Sequence, residues 1–286
     1  MDQTIITAQD HKRIMEEYGR AAEARAYALG NRGPIRFTAD GRLDPAIVES
    51  YSTHGFYVLQ GVVGPRELAE LRAAVDRTLE RAPVTPEAKV DRHGRPAFGE
   101  GILKPPYRWA KPLSDPLGGT GLYNGRHPVA MAQPTLGTDA PALTIERLDG
   151  NLHLMDEALR LYGHPGLLAV AAAILGDDFV PYNEVAFVKE PGLGPSVAWH
   201  RDGMTHWDAP DWDGDAHGFN FMIQLYPSTA GNGVWVLPGS HKMPSVQSAT
   251  ASGNPSNVPA SHLVPIMTGS LRLAHRRRVS GEATCQ

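Results

Sequence analysis

The sequence predicts an α+β protein that is mainly β, in which two sheets form a sandwich and helices pack on one sheet. Its 286 residues include 30 glycines and 24 prolines. This content is high for a helical bundle and typical of a β core with many turns. Helical patterns dominate the first part of the chain and β-type patterns the second, an order that indicates the same class.

Five segments are predicted as helices. They are residues 7–29, a short helix that opens at Asp44-Pro45, and residues 66–81, 151–162 and 165–175. The first is rich in strong helix formers, the second has proline at its first helical position, and the third carries an apolar stripe along one side. We expect one domain over residues 1–286, with residues 1–43 as an N-terminal helical extension.

The β-type segments are separated by turns rich in Gly, Pro, Asn and Ser. They are residues 56–63, 179–189, 196–202, 219–227, 233–237, 262–267 and 270–275. By contrast, residues 82–141 show no sustained periodicity, and an irregular stretch of this length is typical of binding loops.

Charge and cysteine content limit the partners and the compartment that we expect. The net charge of −4 favours neither nucleic acid nor an acidic membrane as a partner. The single cysteine, Cys285, can form no internal disulfide, which fits a reducing cytoplasm. No apolar run approaches the roughly 20 residues that span a bilayer. The sequence therefore predicts a soluble cytoplasmic protein that binds neither nucleic acid nor membrane, and it leaves the oligomeric state open.

The most informative motif is Trp199-His200-Arg201-Asp202. Side chains two positions apart lie on the same face of a strand, so His200 and Asp202 can hold one metal ion between them. An iron(II) site with two histidines and one carboxylate needs one further histidine. A second His-x-Asp, His206-Trp207-Asp208, lies in a segment with the composition of a loop. Chance alone gives about 0.7 such matches in this composition, so the motif needs support from its context.

Two blocks supply that context: Val197-Ala-Trp-His-Arg-Asp-Gly203, and Asn232-Gly-Val-Trp-Val-Leu-Pro-Gly-Ser-His-Lys242. Together they resemble the phytanoyl-CoA dioxygenase family of iron(II)/2-oxoglutarate oxygenases. The run from His54 to Val63, followed by Gly-Pro and a helix, also resembles the opening of that family. The resemblance covers roughly residues 44–81 and 160–275.

The resemblance implies a double-stranded β-helix, or jelly roll, with N-terminal helices packed on one sheet. It also implies that His200 and Asp202 are the first two ligands of Fe(II), and that 2-oxoglutarate and O₂ occupy the open positions of the metal. The family reaction converts 2-oxoglutarate to succinate and CO₂ while a small organic substrate is hydroxylated. His241 belongs to a turn in this family and is not a ligand. Gln224 shares a strand face with Asn220 and Met222. This face either lines the cavity, with Gln224 as a cofactor-binding residue, or packs in the core.

The C-terminal segment departs from the family pattern. Ser280 stands where the family has its distal histidine, and the sequence ends at Gln286, before the arginine that binds the distal carboxylate of 2-oxoglutarate. Three interpretations stay open. The last strand is truncated or frame-shifted; or His275 is the third ligand and Arg276 meets the carboxylate; or the protein is a non-catalytic jelly roll that binds a small molecule.

Overall fold

The computed structural model of the chain describes residues 8–99, 101, 105–114, 136–180, 184–195, 197, 218–242 and 260–267. In this part of the chain, six α-helices combine with three small sheets, so the fold is mixed α/β. More of the described residues lie in helices than in strands, whereas the sequence predicted a mainly β protein. The difference has a physical reason: a helix forms its hydrogen bonds within one segment, so its sequence predicts it directly, whereas a strand forms only beside a suitable neighbouring strand.

All five predicted helices are confirmed. The helices are α1 (Ala8–Ala28), α2 (Pro45–His54), α3 (Pro65–Glu80), α4 (Asn151–Leu154), α5 (Asp156–Tyr162) and α6 (Pro165–Leu175). The helix predicted over residues 151–162 is divided into α4 and α5 by Met155, whose backbone is extended. Proline begins α2, α3 and α6, because the first turn of a helix leaves the N–H that proline lacks unbonded.

The strands of the described residues form three sheets. β1 (Arg32–Gly33) pairs in parallel with β2 (Val58–Leu59), and three antiparallel strands follow in the order β3-β4-β5: β3 (Tyr107–Ala110), β4 (Thr144–Asp149) and β5 (Val185–Phe187). β6 (Trp235–Val236) pairs antiparallel with β7 (Val264–Pro265). The prediction of irregular structure throughout residues 82–141 is wrong at β3. β3 is only four residues long and depends on its pairing with β4. The sequence of these four residues alone does not indicate that pairing.

The predicted two-sheet sandwich is not seen among the described residues, where each sheet has two or three strands. The clearest difference is the segment 219–227, which pairs with no strand in the described part of the chain. Its Phe219 instead packs edge-on against Tyr51 and Phe221. Apolar alternation predicts which side of a segment faces the core, but a strand also needs a hydrogen-bonded neighbour. Apart from Val197, the predicted strands at 196–202 and 270–275 lie outside the described residues.

The three-stranded sheet packs one face against α3 and α5. Along β4, Thr144, Glu146 and Leu148 are buried, while the residues between them are only partly buried. Leu148 joins a hydrophobic cluster formed by Ala74, Ala82, Tyr107, Leu148 and Met155. Tyr107 donates its hydroxyl to the carbonyl of Thr78 at 2.8 Å, and burial raises the pKa of Tyr107 to about 12. This hydrogen bond fixes β3 on α3.

The N-terminal helix packs on the small C-terminal sheet. The ring of Tyr18 in α1 stacks on the indole of Trp235 in β6, with centroids 5.4 Å apart and planes 2° apart. Ala22, Leu263 and Ala230 complete this cluster. The carboxylate of Glu23 accepts the backbone N–H of Ala230 at 2.9 Å, so the contact between α1 and this sheet is both apolar and polar.

Residues Asp156–Leu175 are long and apolar enough, by length and composition alone, to cross a membrane. The sequence predicted no such stretch. In the structure the stretch is not one continuous helix, because Gly163 and His164 separate α5 from α6. Val170 of α6 is buried against Leu43 and Ile47 of the α2 region. At least one side of α6 therefore contributes to the core of the protein.

A folded loop over residues 82–98 is organised by one buried carboxylate. Asp91 Oδ1 accepts the backbone N–H groups of His93 at 2.9 Å and Arg95 at 3.0 Å. Its Oδ2 accepts Nε of Arg81 at 3.0 Å and Nε of Arg95 at 2.8 Å. Burial alone would raise the pKa of Asp91, but the backbone N–H groups and the Arg95 guanidinium outweigh it and lower the pKa to about 2.

We predict that Asp91→Asn lowers the melting temperature at neutral pH and that this difference disappears in acid. Because the pKa of Asp91 falls from 3.8 to about 2 on folding, its ionised form stabilises the protein above about pH 4, and this contribution is lost as the pH falls towards 2. Thermal melting followed by circular dichroism across this range measures the effect. Glu49→Gln, on the exposed side of α2, is the control. A difference independent of pH would contradict the prediction.

The turn that contains His241 covers the C-terminal end of α2. The backbone N–H of Gly239 donates to the carbonyl of His54 at 2.8 Å, and Nε2 of His241 lies 3.0 Å from the carbonyl oxygen of Ser52. Both contacts satisfy carbonyls that the end of a helix leaves unbonded. Gly55 ends the helix with φ of +81°, and a Cβ there would lie 2.4 Å from Nδ1 of His241. Glycine is therefore required at residue 55 by both its backbone and its neighbour.

We predict that Gly55→Ala destabilises the protein by about 1–3 kcal/mol, because it strains the backbone and displaces the His241 ring. Urea unfolding gives the free energy of unfolding. Gly41→Ala is a matched control, since Gly41 has φ of +80° but nothing within 4 Å of the new Cβ. Adding His241→Ala to both variants should remove most of the difference between them; equal losses in the two single variants would show that His241 is irrelevant.

Candidate functional site

The loop after β5 is the described part of the chain that directly precedes His200 and Asp202 in the sequence. After β5, residues 189–195 form a tight loop in which the N–H of Gly194 donates to the carbonyl of Glu190 at 2.8 Å. Nζ of Lys189 donates to the carbonyl of Pro195, which is fully buried. A Cβ at Gly194 would lie only 3.1 Å from Cα of Lys189. This loop therefore depends on a glycine and on the Lys189–Pro195 hydrogen bond.

A second anchor fixes the loop on the three-stranded sheet. The N–H of Leu113, just after β3, donates to the carbonyl of Leu193 at 3.0 Å. At the other end of β5, the carboxylate of Glu184 accepts the N–H groups of Gly150 at 3.1 Å and Asn151 at 3.0 Å. Both ends of the β5 region are thus held by hydrogen bonds, and His200 follows Pro195 by five positions in the sequence.

The structure does not test four of the five predicted site residues. His200, Asp202, His275 and Arg276 lie outside the described residues. Within the described residues, no three His, Cys, Asp or Glu side chains come together as a metal site. The assignment of the metal ligands therefore stays a prediction.

Gln224, the fifth predicted residue, lies in the unpaired segment 219–227. Its side chain is partly buried, whereas Asn220 and Met222, expected on the same face, are exposed. The neighbouring carbonyl of Leu225 accepts Nε of Arg72, and the guanidinium of Arg72 lies 4.9 Å from the centroid of the Tyr226 ring. These contacts attach the segment to α3. Cofactor binding by Gln224 stays a prediction.

The block Asn232–Lys242, which carried part of the family resemblance, builds a turn and a short strand. A Cβ at Gly233 would lie 2.7 Å from the carbonyl oxygen of Thr229 and 2.9 Å from that of Ile266, so only glycine fits. The side-chain oxygen of Asn232 accepts the N–H of Thr229 at 2.7 Å. The indole of Trp235 donates to the carbonyl of Ala230 at 3.0 Å. His241, described above, contacts α2. The described residues of this block thus organise the fold.

The structure also assembles charged residues that sequence reasoning did not combine. Nε of Arg108 donates to Oδ2 of Asp149 at 2.7 Å, and Nε of Arg147 donates to Oδ1 of the same carboxylate at 2.6 Å. Burial alone would raise the pKa of Asp149, but these two arginines lower it below its usual range. Arg147 and Asp149 stand two positions apart in β4, which was a usable signal. Because the sequence did not predict β3, it gave no reason to place Arg108 beside these two residues.

Two residues that stand near Arg108 in the sequence, Lys104 and Tyr107, do not belong to this charged group in the described structure. Tyr107 is buried and its hydroxyl is used on α3, and Lys104 lies outside the described residues. On the helix-facing side of β4, burial raises the pKa of Glu146, and the charges of Arg147 and Lys189 partly oppose that rise. Arg108 alone of the three is shown with an accessible charged group.

Comparison with protein families places the chain. Residues 51–257 match the phytanoyl-CoA dioxygenase (PhyH) model, and this range includes His200, Asp202 and the Asn232–Lys242 block but ends before His275. A comparison with curated proteins finds no match. Members of the matched family are in general 2-oxoglutarate-dependent dioxygenases of the Fe(II)/2-oxoglutarate superfamily. The match covers more than half of the chain, which therefore belongs to the phytanoyl-CoA dioxygenase family.

Proposed function

We propose that the protein is an iron(II)- and 2-oxoglutarate-dependent oxygenase that hydroxylates a small organic molecule and holds the metal with His200 and Asp202. One observation carries the proposal: the family match spans residues 51–257, and this range contains the Trp199-His200-Arg201-Asp202 motif. The proposed framework is the jelly roll of that family, of which the three small sheets would be parts.

The chemistry of the donor set fits the metal. An imidazole nitrogen and a carboxylate oxygen are two of the three ligands of an iron(II) oxygenase site, and two-residue spacing on a strand presents them on one face. The loop before them is closed by the Lys189–Pro195 hydrogen bond, which supports a fixed starting point for that strand. For the third ligand we propose His275, since Ser280 offers only a neutral hydroxyl.

When bound, the iron supplies the redox chemistry that couples decarboxylation of 2-oxoglutarate to hydroxylation of the substrate. The task of the protein is to bind and orient the reactants and to exclude water. In this proposal His200 and Asp202 hold the metal, while Gln224 and Arg276 bind the cosubstrate by a hydrogen bond and an ion pair. The substrate is a small molecule whose identity the family membership does not specify.

We predict that Asp202→Ala abolishes iron binding. An anaerobic titration of the full chain with Fe(II) and 2-oxoglutarate should give the visible metal-to-ligand absorption band in the wild type and no band in the variant, because removal of a charged ligand leaves an incomplete site. Asp208→Ala is the matched control, since it removes the carboxylate of the second His-x-Asp. If Asp208→Ala lost the band and Asp202→Ala kept it, the metal would belong to the second His-x-Asp, and the proposal would be refuted.

The third ligand is tested in the same titration. His275→Ala should remove the band if His275 coordinates iron, and Ser280→Ala should leave it unchanged. Succinate formation under O₂, measured without added substrate, gives an independent readout of uncoupled turnover. If His275→Ala binds iron like the wild type, the assignment of His275 is wrong.

A second candidate function has a specific observation in its favour. Ser280 occupies the distal histidine position, and the family match ends at residue 257, before the last block. A protein of this kind would retain the fold and bind a small molecule without chemistry. Absence of both the absorption band and succinate from the wild-type chain would favour this binding protein over the oxygenase.

We further predict that Lys189→Met weakens iron binding by about tenfold. Residues outside the ligand set that hold the ligands in position typically contribute at least this much to metal affinity. The variant loses the hydrogen bond to the Pro195 carbonyl and loosens the loop that precedes His200. Isothermal titration under anaerobic conditions measures the affinity, and circular dichroism verifies the fold. Lys111→Met, on an exposed lysine after β3, is the control. Equal affinities in the two variants would contradict a role for this hydrogen bond.

A further inference from the structure

We infer that the three-stranded sheet binds the carboxylate of an acidic small molecule on the face opposite α3, through Arg108 and Arg147. These two residues are direct partners in the β3–β4 register, and Arg147 is the partner of Phe187 in the β4–β5 register. Directly opposed residues of an antiparallel sheet project to the same side. Arg108, Arg147 and Phe187 therefore form one row across the sheet.

Among the described residues, no helix packs on the face that carries this row. In the next register position, Tyr107 and Leu148 are buried in the cluster with Ala74 of α3. Neighbouring positions along a strand alternate between the two faces. The side chains of Arg108 and Arg147 consequently point away from α3, where the Arg108 side chain is 42 % exposed.

The hydrogen bonds leave guanidinium donors available for a ligand. Each carboxylate oxygen of Asp149 accepts a hydrogen bond from one arginine: Oδ2 from Nε of Arg108 at 2.7 Å, and Oδ1 from Nε of Arg147 at 2.6 Å. Nη2 of Arg147 also contacts Oδ2, at 3.3 Å. Among the described residues, the two Nη atoms of Arg108 have no hydrogen-bond partner. Planar guanidinium groups bind carboxylates through such paired donors.

The charge balance favours an anion. Two guanidinium groups share the single carboxylate of Asp149, so one positive charge of this group of three is not neutralised. Of the other charged groups that influence this strand, Lys189 is cationic and Glu146 lies on the opposite, helix-facing side, where burial raises its pKa. Asp149 is only 13 % exposed and stays ionised because both arginines lower its pKa. It orients the arginines and leaves their outer edges positive.

An apolar surface adjoins the cationic one. Phe187, across from Arg147, is 46 % exposed, and Val185 is the partner of Asp149 in the same sheet. A ligand with a carboxylate and an apolar or aromatic body would place its charge on Arg108 and its body on Phe187. This surface thus favours acidic molecules with an apolar part. That this surface is the substrate site rests on the proposed function. Binding of a carboxylate to the surface, by contrast, does not require iron.

The test uses the full chain without metal and phenylacetate as the probe, with phenylacetamide as its uncharged analogue. We expect saturation-transfer NMR and calorimetry to detect binding of phenylacetate at millimolar concentration and at least about tenfold weaker binding of the amide. Arg108→Gln should weaken phenylacetate binding by about tenfold, because it removes the charge and the paired donors while Arg147 still holds Asp149. Arg66→Gln, on a fully solvated arginine of α3, should leave it unchanged.

Two further measurements make the test decisive. Phe187→Ala should weaken phenylacetate binding but not acetate binding if the ring supports the body of the ligand. The inference is overturned if phenylacetate and its amide bind equally, if neither binds, or if Arg108→Gln and Arg66→Gln behave alike. Loss of 2-oxoglutarate affinity in Arg108→Gln with unchanged phenylacetate binding would also overturn it, because the surface would then serve the cosubstrate. Absence of iron binding, by contrast, would refute only the oxygenase.

Discussion

The alternation of side chains along β4 is the constraint on which the candidate site depends. Leu148 must face α3, because it is fully buried in the cluster that joins the sheet to the helices. The pleat then directs Arg147 and Asp149 to the other side. The same packing fixes β5, whose end leads through the Lys189–Pro195 loop towards His200. One apolar contact therefore sets both the orientation of the charged face and the position of the loop that precedes the predicted ligands in the sequence.

Local signals in the sequence predicted the helices well. Asp44 followed by Pro45 predicted the start of α2, and the structure shows the Asp44 carboxylate accepting the N–H of Ala46 at 2.9 Å. Strands were predicted less well, because their hydrogen bonds come from distant residues. Arg108 and Asp149 stand 41 positions apart, and no pattern near either residue indicates the other. The β3–β4 register is also shifted between Arg108 and Trp109, an irregularity that simple alternation does not predict.

The candidate site was predictable to the extent that it rests on motifs. The blocks around His200 and Asn232 predicted the family, and the match over residues 51–257 confirms that membership. The motifs did not show what their individual residues do in the fold. Gly233 fits between two carbonyl groups, and His241 lies at the end of α2. Such roles depend on which backbone approaches each residue in space, and the linear order of the motif contains no information on that.

The packing of α1 on Trp235 has a consequence for where the folded unit begins. The family match starts at residue 51, yet Tyr18 and Glu23 precede that boundary and contact Trp235 and Ala230 within the matched range. Deleting everything before residue 51 would expose the indole face to water and leave the Ala230 N–H without its carboxylate. The packed structure therefore extends beyond the recognisable family segment and includes α1.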